Sequence, residues 1–364
     1  MPDFTSALYL GLTHGHGSLK PWSQLTTGRP AALGFSREAA DLECALADFL
    51  GCGAVAIGPS TFHLFWDLFD MFADKDIAVH VDSGAYPIAR WAVGSVCARG
   101  APQLMFRSHD RNALQASLAR RPAGSRPLVL VDGLNPLTGQ PAPLPDYLDL
   151  VRRMKGWLVL DDTQAIGIFG KNPCCDRPLG SGGAGTPAWF GLSDARLIRV
   201  ASLAKGFGVP LALIGGSRAF IERFKAMSKT RVHCSPPSQA DLAATRRALI
   251  VNSRHGETLR RRLIQVISLF RQGLSRLGLT AGGGYFPVQT LILPGCISAA
   301  RLHTALECLG VATVLHRARR GGQALVSFVL NAGHRFADIE AGLAALSMLI
   351  TSRTRQKPAM LIQE

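Results

Sequence analysis

The sequence lacks any apolar run long enough for a membrane-spanning helix, although 47% of its 364 residues are hydrophobic. A helix that crosses the hydrocarbon core of a bilayer needs about 20 consecutive, mostly apolar residues. The N-terminus, MPDFTSALYLGLTHGHG, also lacks the basic and apolar segments of a secretory signal peptide. A membrane partner is therefore not expected, and the sequence predicts a cytoplasmic location.

Cysteine spacing typical of metal sites and disulfide frameworks is also missing. None of the eight cysteines forms a C-x-x-C pair, and Cys174 and Cys175 are adjacent, which does not suit an ordinary structural disulfide. His14 and His16 have no third candidate ligand nearby, so a loop is favoured over a metal site. We therefore predict no metal, and thiols that are reduced and mostly buried.

Acidic residues are scarce, because 25 Asp and Glu stand against 40 Lys and Arg, which gives a net charge of +15. Such an excess favours anionic partners. Nucleic acid is not expected among them, since the sequence has no helix-turn-helix, zinc-finger or stacking-aromatic module. Two glycine-rich segments also fail as nucleotide motifs: Pro187 interrupts GGAGTPA (182–188), and GIFGKN (167–172) lacks the spacing of a Walker A loop.

Four short apolar runs, at residues 54–57, 77–82, 128–133 and 157–162, are typical of buried strands. Helical patterns separate them, which favours an α/β protein with a parallel sheet covered on both faces. Such sheets bind ligands at the carboxyl ends of their strands. The aspartates at these ends are Asp82, Asp132, Asp161 and Asp162.

The pattern changes character after about residue 250. The predicted elements there are a long basic helix at 255–277, strands at 288–293 and 323–330, and helices at 298–309 and 337–350. A chain of this length commonly forms two domains. The predicted division is an N-terminal segment (1–35), a large α/β domain (36–250) and a small C-terminal α+β domain (251–364).

One lysine stands between two apolar runs, in LIRVASLAKGFGVPLALIGG (197–216). Burial is costly for an ammonium group and lowers its pKa. Lys205 is therefore a candidate for an amine that forms an imine, with a turn lysine that points into water as the alternative.

Two further turns offer groups to a ligand. Gly58-Pro59-Ser60-Thr61 links a strand to a helix, and amides and hydroxyls at a helix start are typical of a phosphate site. Ordinary helix capping by Ser60 explains the same residues equally well. Asn135 follows the strand at 128–133 and places an amide at the same edge of the sheet.

Five segments, in order, resemble motifs of fold-type I pyridoxal-phosphate enzymes, and in particular of α-oxoamine synthases such as 8-amino-7-oxononanoate synthase. The segments are YLGL (9–12), LDDTQAIGIFG (160–170), SLAKGFGVPLALIGGS (202–217), SPPS (235–238) and LNAGHRFADIEAGLAAL (330–346). The resemblance implies a three-layer sandwich with a mostly parallel central sheet, a smaller C-terminal α+β domain, and pyridoxal 5'-phosphate as cofactor.

The resemblance also implies roles for individual residues. Lys205 would carry the cofactor covalently and move the α-proton of the substrate. Asp161 would pair with the pyridine nitrogen, with Asp162 as the next candidate. The residues that would hold the phosphate are Ser60, Thr61, Ser202 and, from the second subunit of a homodimer, Ser235.

The chain departs from the family pattern at three positions. Gln164 replaces the histidine next to the ring oxygen, and residues 83–85 lack the histidine that stacks on the cofactor, so that Tyr86 is the nearest ring. Ser327 replaces the arginine that would clamp the carboxylate of the amino acid. The candidates to replace that arginine are Arg317, Arg319 and Arg320.

Together these features predict a transferase that condenses an amino acid with an acyl thioester and releases carbon dioxide. The thioester would be carried by coenzyme A or an acidic carrier protein, both of which suit the basic C-terminal half. A class I/II aminotransferase is the alternative, favoured by the N-P-L-T-G turn (135–139). A second alternative is a non-catalytic basic binding protein on the same fold.

Overall fold

The structure, a computed structural model, describes residues 2–19, 21–22, 24–29, 31–73, 76–295, 297–317 and 323–354. Within these residues the chain divides into two compact units. The larger unit comprises Leu12–Asn135 and Pro141–Glu257. The smaller unit comprises the N-terminal residues up to Gly11, the segment Pro136–Gln140, and the residues from Thr258 onward.

Strands and helices alternate along much of the larger unit. The strands, numbered in chain order, are β1 (Ala54–Gly58), β2 (Ile77–Asp82), β3 (Gln103–Phe106), β4 (Arg126–Asp132), β5 (Leu134–Asn135), β6 (Gln140–Pro141), β7 (Trp157–Asp161), β8 (Leu197–Ser202), β9 (Ala212–Gly216), β10 (Thr280–Gly282), β11 (Val288–Ile292), β12 (Val314–His316) and β13 (Leu325–Val329). The helices are α1 (Arg37–Leu50), α2 (Thr61–Asp70), α3 (Pro87–Cys97), α4 (Arg111–Ala119), α5 (Leu144–Arg153), α6 (Thr186–Trp189), α7 (Arg218–Met227), α8 (Lys229–His233), α9 (Gln239–Arg276), α10 (Ala299–Cys308) and α11 (Phe336–Thr354), with short 3-10 turns at His16–Ser18 and Ala31–Leu33.

The larger unit is built on a seven-stranded sheet with the order β1-β9-β8-β7-β4-β2-β3. Strands β3, β2, β4, β7 and β8 run parallel to one another. Strand β9 runs antiparallel to both of its neighbours, β8 and β1, so β1 points the same way as the parallel strands. The predicted mostly parallel sheet is confirmed, and six of its carboxyl ends lie at one edge.

Successive residues of the central strands face opposite helix layers, as the period of two requires. Leu128 and Leu130 of β4 pack with α2, α3 and α7, whereas Val129 and Val131 pack with α4 and α5. A further apolar cluster joins α1 and the start of α9 to β1, β8 and β9. The predicted three-layer sandwich is therefore confirmed.

Helix α1 begins directly after Ser36. The hydroxyl of Ser36 accepts a hydrogen bond from the backbone N–H of Ala39 at 3.3 Å, which satisfies one free amide of the first turn. The helix also buries a carboxylate, that of Glu43, among its apolar residues. Glu43 accepts the N–H of Ile57 at 3.0 Å and forms ion pairs with Lys225 and Arg231.

Helix α9 runs for 38 residues without a break, whereas the sequence predicted a helix that begins near residue 255. Asn252, a poor helix former, is retained because its amide donates to the carbonyl oxygen of Gly182 at 2.9 Å. The predicted boundary at residue 250 lies inside this helix, and the two compact units part within it as well, after Glu257.

The smaller unit contains a four-stranded antiparallel sheet with the order β10-β11-β13-β12. The ring of Phe328 on β13 lies 4.9 Å from Phe270 of α9 and 5.1 Å from Phe4, centroid to centroid. These rings are fully buried and anchor the sheet against the helix. No helix in the described ranges combines the length and apolarity needed to cross a bilayer.

The prediction of mostly buried thiols is wrong. The seven cysteines in the described ranges are all free, and none is buried. Four of them are exposed, Cys44, Cys174, Cys175 and Cys308, and the other three, Cys52, Cys97 and Cys234, are half-buried. Cys296 lies outside the described residues. Across the same ranges no group of three His, Cys, Asp or Glu side chains suits a metal ion.

Candidate functional site

Three carboxylates line the carboxyl edge of the parallel sheet. Asp82, Asp132 and Asp161 are the last residues of β2, β4 and β7. Asp132 and Asp161 are direct partners in the register of β4 and β7, so their side chains lie on the same face of the sheet. The sheet therefore places two acids side by side.

Lys205 lies in the tight connection between β8 and β9, and its side chain is half-buried. The connection closes through a hydrogen bond from the N–H of Leu203 to the carbonyl of Leu211, at 2.8 Å. Gly206 is required next to the lysine, because a Cβ at this position would clash with the carbonyl oxygen of Ile166. The lysine loop is thus packed directly on the turn that follows β7.

Lys205 interacts with both acids of the pair. Burial lowers the pKa of its amine, while the carboxylates of Asp161 and Asp132 act in the opposite direction. Burial raises the pKa of Asp161, although hydrogen bonds from Thr163 and the charge of Lys205 oppose the change. Burial and the neighbouring carboxylates of Asp161 and Asp82 raise the pKa of Asp132 well above its usual range. Such a site favours proton exchange among one amine and two carboxyls.

Asp161 and Asp162 have different surroundings. The backbone N–H of Thr163 donates to Oδ1 of Asp161 at 3.0 Å, and the hydroxyl of Thr163 accepts the N–H of Ser202 at 3.0 Å. Asp162 is fully buried, where it binds the N–H and hydroxyl of Thr186 and lies 3.7 Å from Nε of Arg199. Burial raises the pKa of Asp162 to about 6. Asp161 is therefore the acid that is placed to act with Lys205.

The strand ends next to two of the predicted phosphate segments lie at one level of the sheet edge. Gly58 at the end of β1 and Ser202 at the end of β8 both pair with Ala212 of β9. Two strand spacings, roughly 10 Å, therefore separate these strand ends. Ser60 occupies the N-cap position of α2, but its hydroxyl contacts Nδ1 of His63 at 2.7 Å and no backbone N–H of that helix. Ordinary helix capping by this side chain does not occur.

A histidine that sequence reasoning missed lies beside the acid pair. Tyr86 donates its backbone N–H to Oδ1 of Asp132 at 3.2 Å, while its side chain is 56% exposed. His109 donates its own N–H to Oδ2 of Asp82 at 3.3 Å, and its ring bonds the backbone carbonyl of Asp132. Burial lowers the pKa of His109. Only recognition of β3, which ends shortly before it, would have placed this histidine at the edge where ligands bind.

The remaining predicted residues lie in different places. Gln164 is half-buried in the turn after β7, Asn135 is half-buried at the end of β5, and Ser235 is exposed after α8. In the smaller unit, Ser327 is fully buried and contacts Nε2 of His316 at 2.9 Å and the hydroxyl of Thr290 at 2.8 Å. Of the arginines proposed to compensate for it, Arg317 is exposed, and Arg319 and Arg320 lie outside the described residues.

The residues of the larger unit fit pyridoxal 5'-phosphate. An amine of lowered pKa suits an aldehyde, and a carboxylate with a fixed orientation suits a pyridine nitrogen. Hydroxyls and free amides at a strand–helix junction suit a phosphate. Lys205, Asp161, Ser202 and the Ser60-Thr61 turn provide these groups at a single sheet edge.

The chain is similar to proteins of one family along most of its length. The family model described as aminotransferase class I and II matches residues 24–292. An 8-amino-7-oxononanoate synthase from Alcanivorax borkumensis is 31% identical over 69% of this chain and 63% of its own length. Another from Nitrosococcus oceani is 29% identical over 95% of this chain and 91% of its own length. The first of these relatives is thus matched over less than two thirds of its length.

Solved structures share the fold. The serine palmitoyltransferase of Sphingomonas wittichii superposes with a TM-score of 0.82 at 19% identity, over 96% of this chain and 87% of that chain. The 8-amino-7-oxononanoate synthase of Francisella tularensis superposes with a TM-score of 0.73 at 20% identity, over 97% of this chain and 98% of that chain.

Proposed function

The chain belongs to the class I and II aminotransferase family, and from this premise we propose that it condenses an amino acid with an acyl thioester and releases carbon dioxide. The family match confirms the family predicted from the sequence, and the solved structures confirm the fold. Both support a pyridoxal-phosphate-dependent transferase. The relatives from Alcanivorax borkumensis and Nitrosococcus oceani are both named 8-amino-7-oxononanoate synthase, which supports condensation over other transferase reactions.

One arrangement supports the proposal: the charges of Asp161 and Asp132 act on the amine of Lys205, and the two acids are register partners in the sheet. When bound, pyridoxal phosphate supplies an electron sink that stabilises a carbanion. The carboxylate of Asp161 would hold a proton on the ring nitrogen. The Nζ of Lys205, with its lowered pKa, would take the proton from the α-carbon of the amino acid and later return one.

The second substrate follows from charge. An acyl thioester has no carboxylate at its reacting end, so the enzyme needs no second arginine clamp for it. The chain has 40 Lys and Arg against 25 Asp and Glu, which suits the phosphates of coenzyme A or an acidic carrier protein.

The test uses cofactor-saturated protein with a panel of small amino acids and acyl-coenzyme A esters. We expect free thiol and carbon dioxide in equal amounts, and Lys205→Ala should abolish both. Borohydride should fix the cofactor on the peptide that contains Lys205. A labelled peptide from the Lys205→Ala protein would exclude this lysine as the point of attachment.

Aminotransfer is the second candidate, because the Asn135-Pro136-Leu137-Thr138-Gly139 turn resembles a motif of aminotransferases. It predicts conversion of a keto acid to an amino acid without any thioester. A non-catalytic binding protein predicts neither product and no borohydride-fixed cofactor. The same panel of assays separates all three.

A homodimer in the cytoplasm is part of the proposal. Ser235 is exposed in the single chain. A residue that contacts the phosphate in a neighbouring subunit has to be exposed when its own chain is considered alone. Sedimentation of the purified protein tests the dimer. If Ser235 acts across it, Ser235→Ala should weaken cofactor binding without changing the sedimentation coefficient.

A further inference from the structure

The chain between β7 and α6 forms a narrow hairpin whose tip has no part in the proposed reaction. Three isolated bridges define it, between Ile166 and Ala184, Lys171 and Ser181, and Cys174 and Arg177. Cys174 and Arg177 exchange two backbone hydrogen bonds of 3.1 Å each. Cys175 and Asp176 therefore form the two-residue turn, and both cysteines are exposed.

The hairpin is held firmly along its length. Its two strands touch at Gly170 and Gly180, where a Cβ on either residue would clash with the backbone of the opposite strand. Near its base, Gly182 donates its N–H to Glu257 of α9 at 2.7 Å. The backbone of the tip is therefore held in place by the rest of the hairpin. A ligand that binds there loses little free energy to ordering the chain.

The first thiol of the tip is activated. The backbone N–H groups of Arg177 and Asp176 and the side chain of Arg177 lower the pKa of Cys174. The thiolate, rather than the thiol, is the form that attacks electrophiles and binds soft metals. Cys174 is also open to solvent, so reagents reach it directly.

Cys174 and Cys175 are neighbours in the chain, and this limits what their two thiols can bind together. Neighbouring Cα atoms in a chain are about 3.8 Å apart. The Cα atoms of ordinary disulfides are about 4.4–6.8 Å apart, so a direct S–S bond between adjacent residues is strained. An atom inserted between the two sulfurs relieves that restraint, and thiolates prefer soft partners.

We propose that Cys174 and Cys175 form a two-thiol site at the hairpin tip that binds soft thiophilic centres of the trivalent arsenical class. The reaction with an aryl arsenoxide involves no oxidation or reduction. Two S–H bonds break, two S–As bonds form, and the arsenoxide oxygen leaves as water with both protons. The bridged ring is stable towards monothiols, and an added dithiol reverses it.

The test uses the reduced, cofactor-saturated full-length protein and phenylarsine oxide. Intact mass should show one adduct per chain, and digestion should place it on the peptide that contains both cysteines. Cys174→Ser and Cys175→Ser should each weaken binding about 100-fold, because the second bond loses its intramolecular advantage. The matched controls are Cys44→Ser and Cys308→Ser, which change other exposed thiols and should bind like the wild type.

Three results would overturn the proposal. The first is an absence of adduct on the wild-type protein. The second is an adduct that survives in both single variants at the hairpin tip. The third is a Cys174–Cys175 disulfide that forms readily in air, since it would remove the argument from adjacency.

Discussion

Asp132 and Asp161 are direct partners on neighbouring parallel strands, and Lys205 interacts with both. Two acids so placed cannot both ionise freely, and one of them retains its proton to higher pH. Burial and the charges of Asp161 and Asp82 both raise the pKa of Asp132, whereas hydrogen bonds from Thr163 stabilise ionised Asp161. We therefore expect Asp132 to be the member of the pair that holds the proton.

This assignment predicts that the two acids respond differently to the same substitution. Asp132→Asn imitates a protonated acid and should change the rate of α-proton exchange by only a few-fold. Asp161→Asn removes the charge that holds a proton on the cofactor nitrogen, and should slow exchange by roughly 100-fold or more. Exchange of the α-hydrogen of an amino acid in deuterated water, followed by NMR, gives both rates. Equal losses would contradict the assignment.

His80 predicts a pH dependence of stability. Its side chain is fully buried on β2, Nδ1 contacts the hydroxyl of Ser117 at 2.8 Å, and within the described ranges Nε2 has no hydrogen-bond partner. Burial, with the charges of Arg121 and Arg120, lowers the pKa of His80 to about 4. The unfolded chain therefore takes up a proton near pH 6.5, before the folded protein does.

Stability should consequently fall as the pH drops through about 6.5 and level off near 4, with a total loss of about 3 kcal/mol from this residue. His80→Gln removes the titration while carboxylates elsewhere still titrate. Urea unfolding of both proteins at about pH 7.5 and about pH 5 isolates the contribution of the histidine. The wild type should lose more free energy of unfolding than the variant, and equal losses would exclude a buried neutral histidine.

Glu43 predicts a large loss of stability on truncation. Its buried carboxylate binds the N–H of Ile57 and pairs with Lys225 and Arg231, so Glu43→Ala leaves two cations and an amide without their acceptor. We expect a loss of roughly 3 kcal/mol, somewhat reduced because Lys225 is partly exposed. Asp149→Ala is the matched control. It breaks an exposed pair with Arg153 and should cost less than about 0.5 kcal/mol in the same urea titration.

Sequence reasoning found the strands that are buried on both faces, because unbroken apolar runs mark them. It missed β3, which lies at the sheet edge and alternates two exposed residues with the half-buried Leu104 and the buried Phe106. His109 was missed with it, because a residue after an unrecognised strand cannot be placed at the ligand edge. The order of the strands in the sheet could not be predicted from the sequence either, because the Gly- and Pro-rich link from β8 to β9 is compatible with both a hairpin and a crossover.

The positions of Lys205 and Asp161 at the sheet edge were predictable for a different reason. Their motifs join a strand end to a turn of special geometry, and such local patterns survive in sequence. Contacts between distant residues are not visible in a local sequence pattern. Asn252 is an example, because its amide donates to the carbonyl oxygen of Gly182, 70 positions away, from within a continuous helix. The roles assigned to the site residues remain predictions for all of them, namely Lys205, Asp161, Ser60, Thr61, Ser202, Gln164, Asn135, Tyr86 and Ser235.

Ser327 stands where the family pattern has the arginine that would clamp the carboxylate of the amino acid. The serine lies on β13 between β11 and β12 and is fully buried. Its hydroxyl contacts both His316 and Thr290, so the arginine position is filled by a neutral hydrogen-bond network. Burial lowers the pKa of His316, which keeps the network uncharged.

Ser327→Arg should therefore fail to restore a carboxylate clamp. The guanidinium would replace a small hydroxyl in a closed network with His316 and Thr290, neither of which is an acid, and an unpaired buried charge costs roughly 3–5 kcal/mol. Ser327→Ala removes the same two contacts without adding charge and should cost about 1–3 kcal/mol. Urea unfolding ranks the two variants, and titration with amino acids, followed by cofactor absorbance, measures substrate binding. A stable Ser327→Arg protein that binds amino acids more tightly would show that the position still faces the substrate, because only a guanidinium in contact with the carboxylate gains from it.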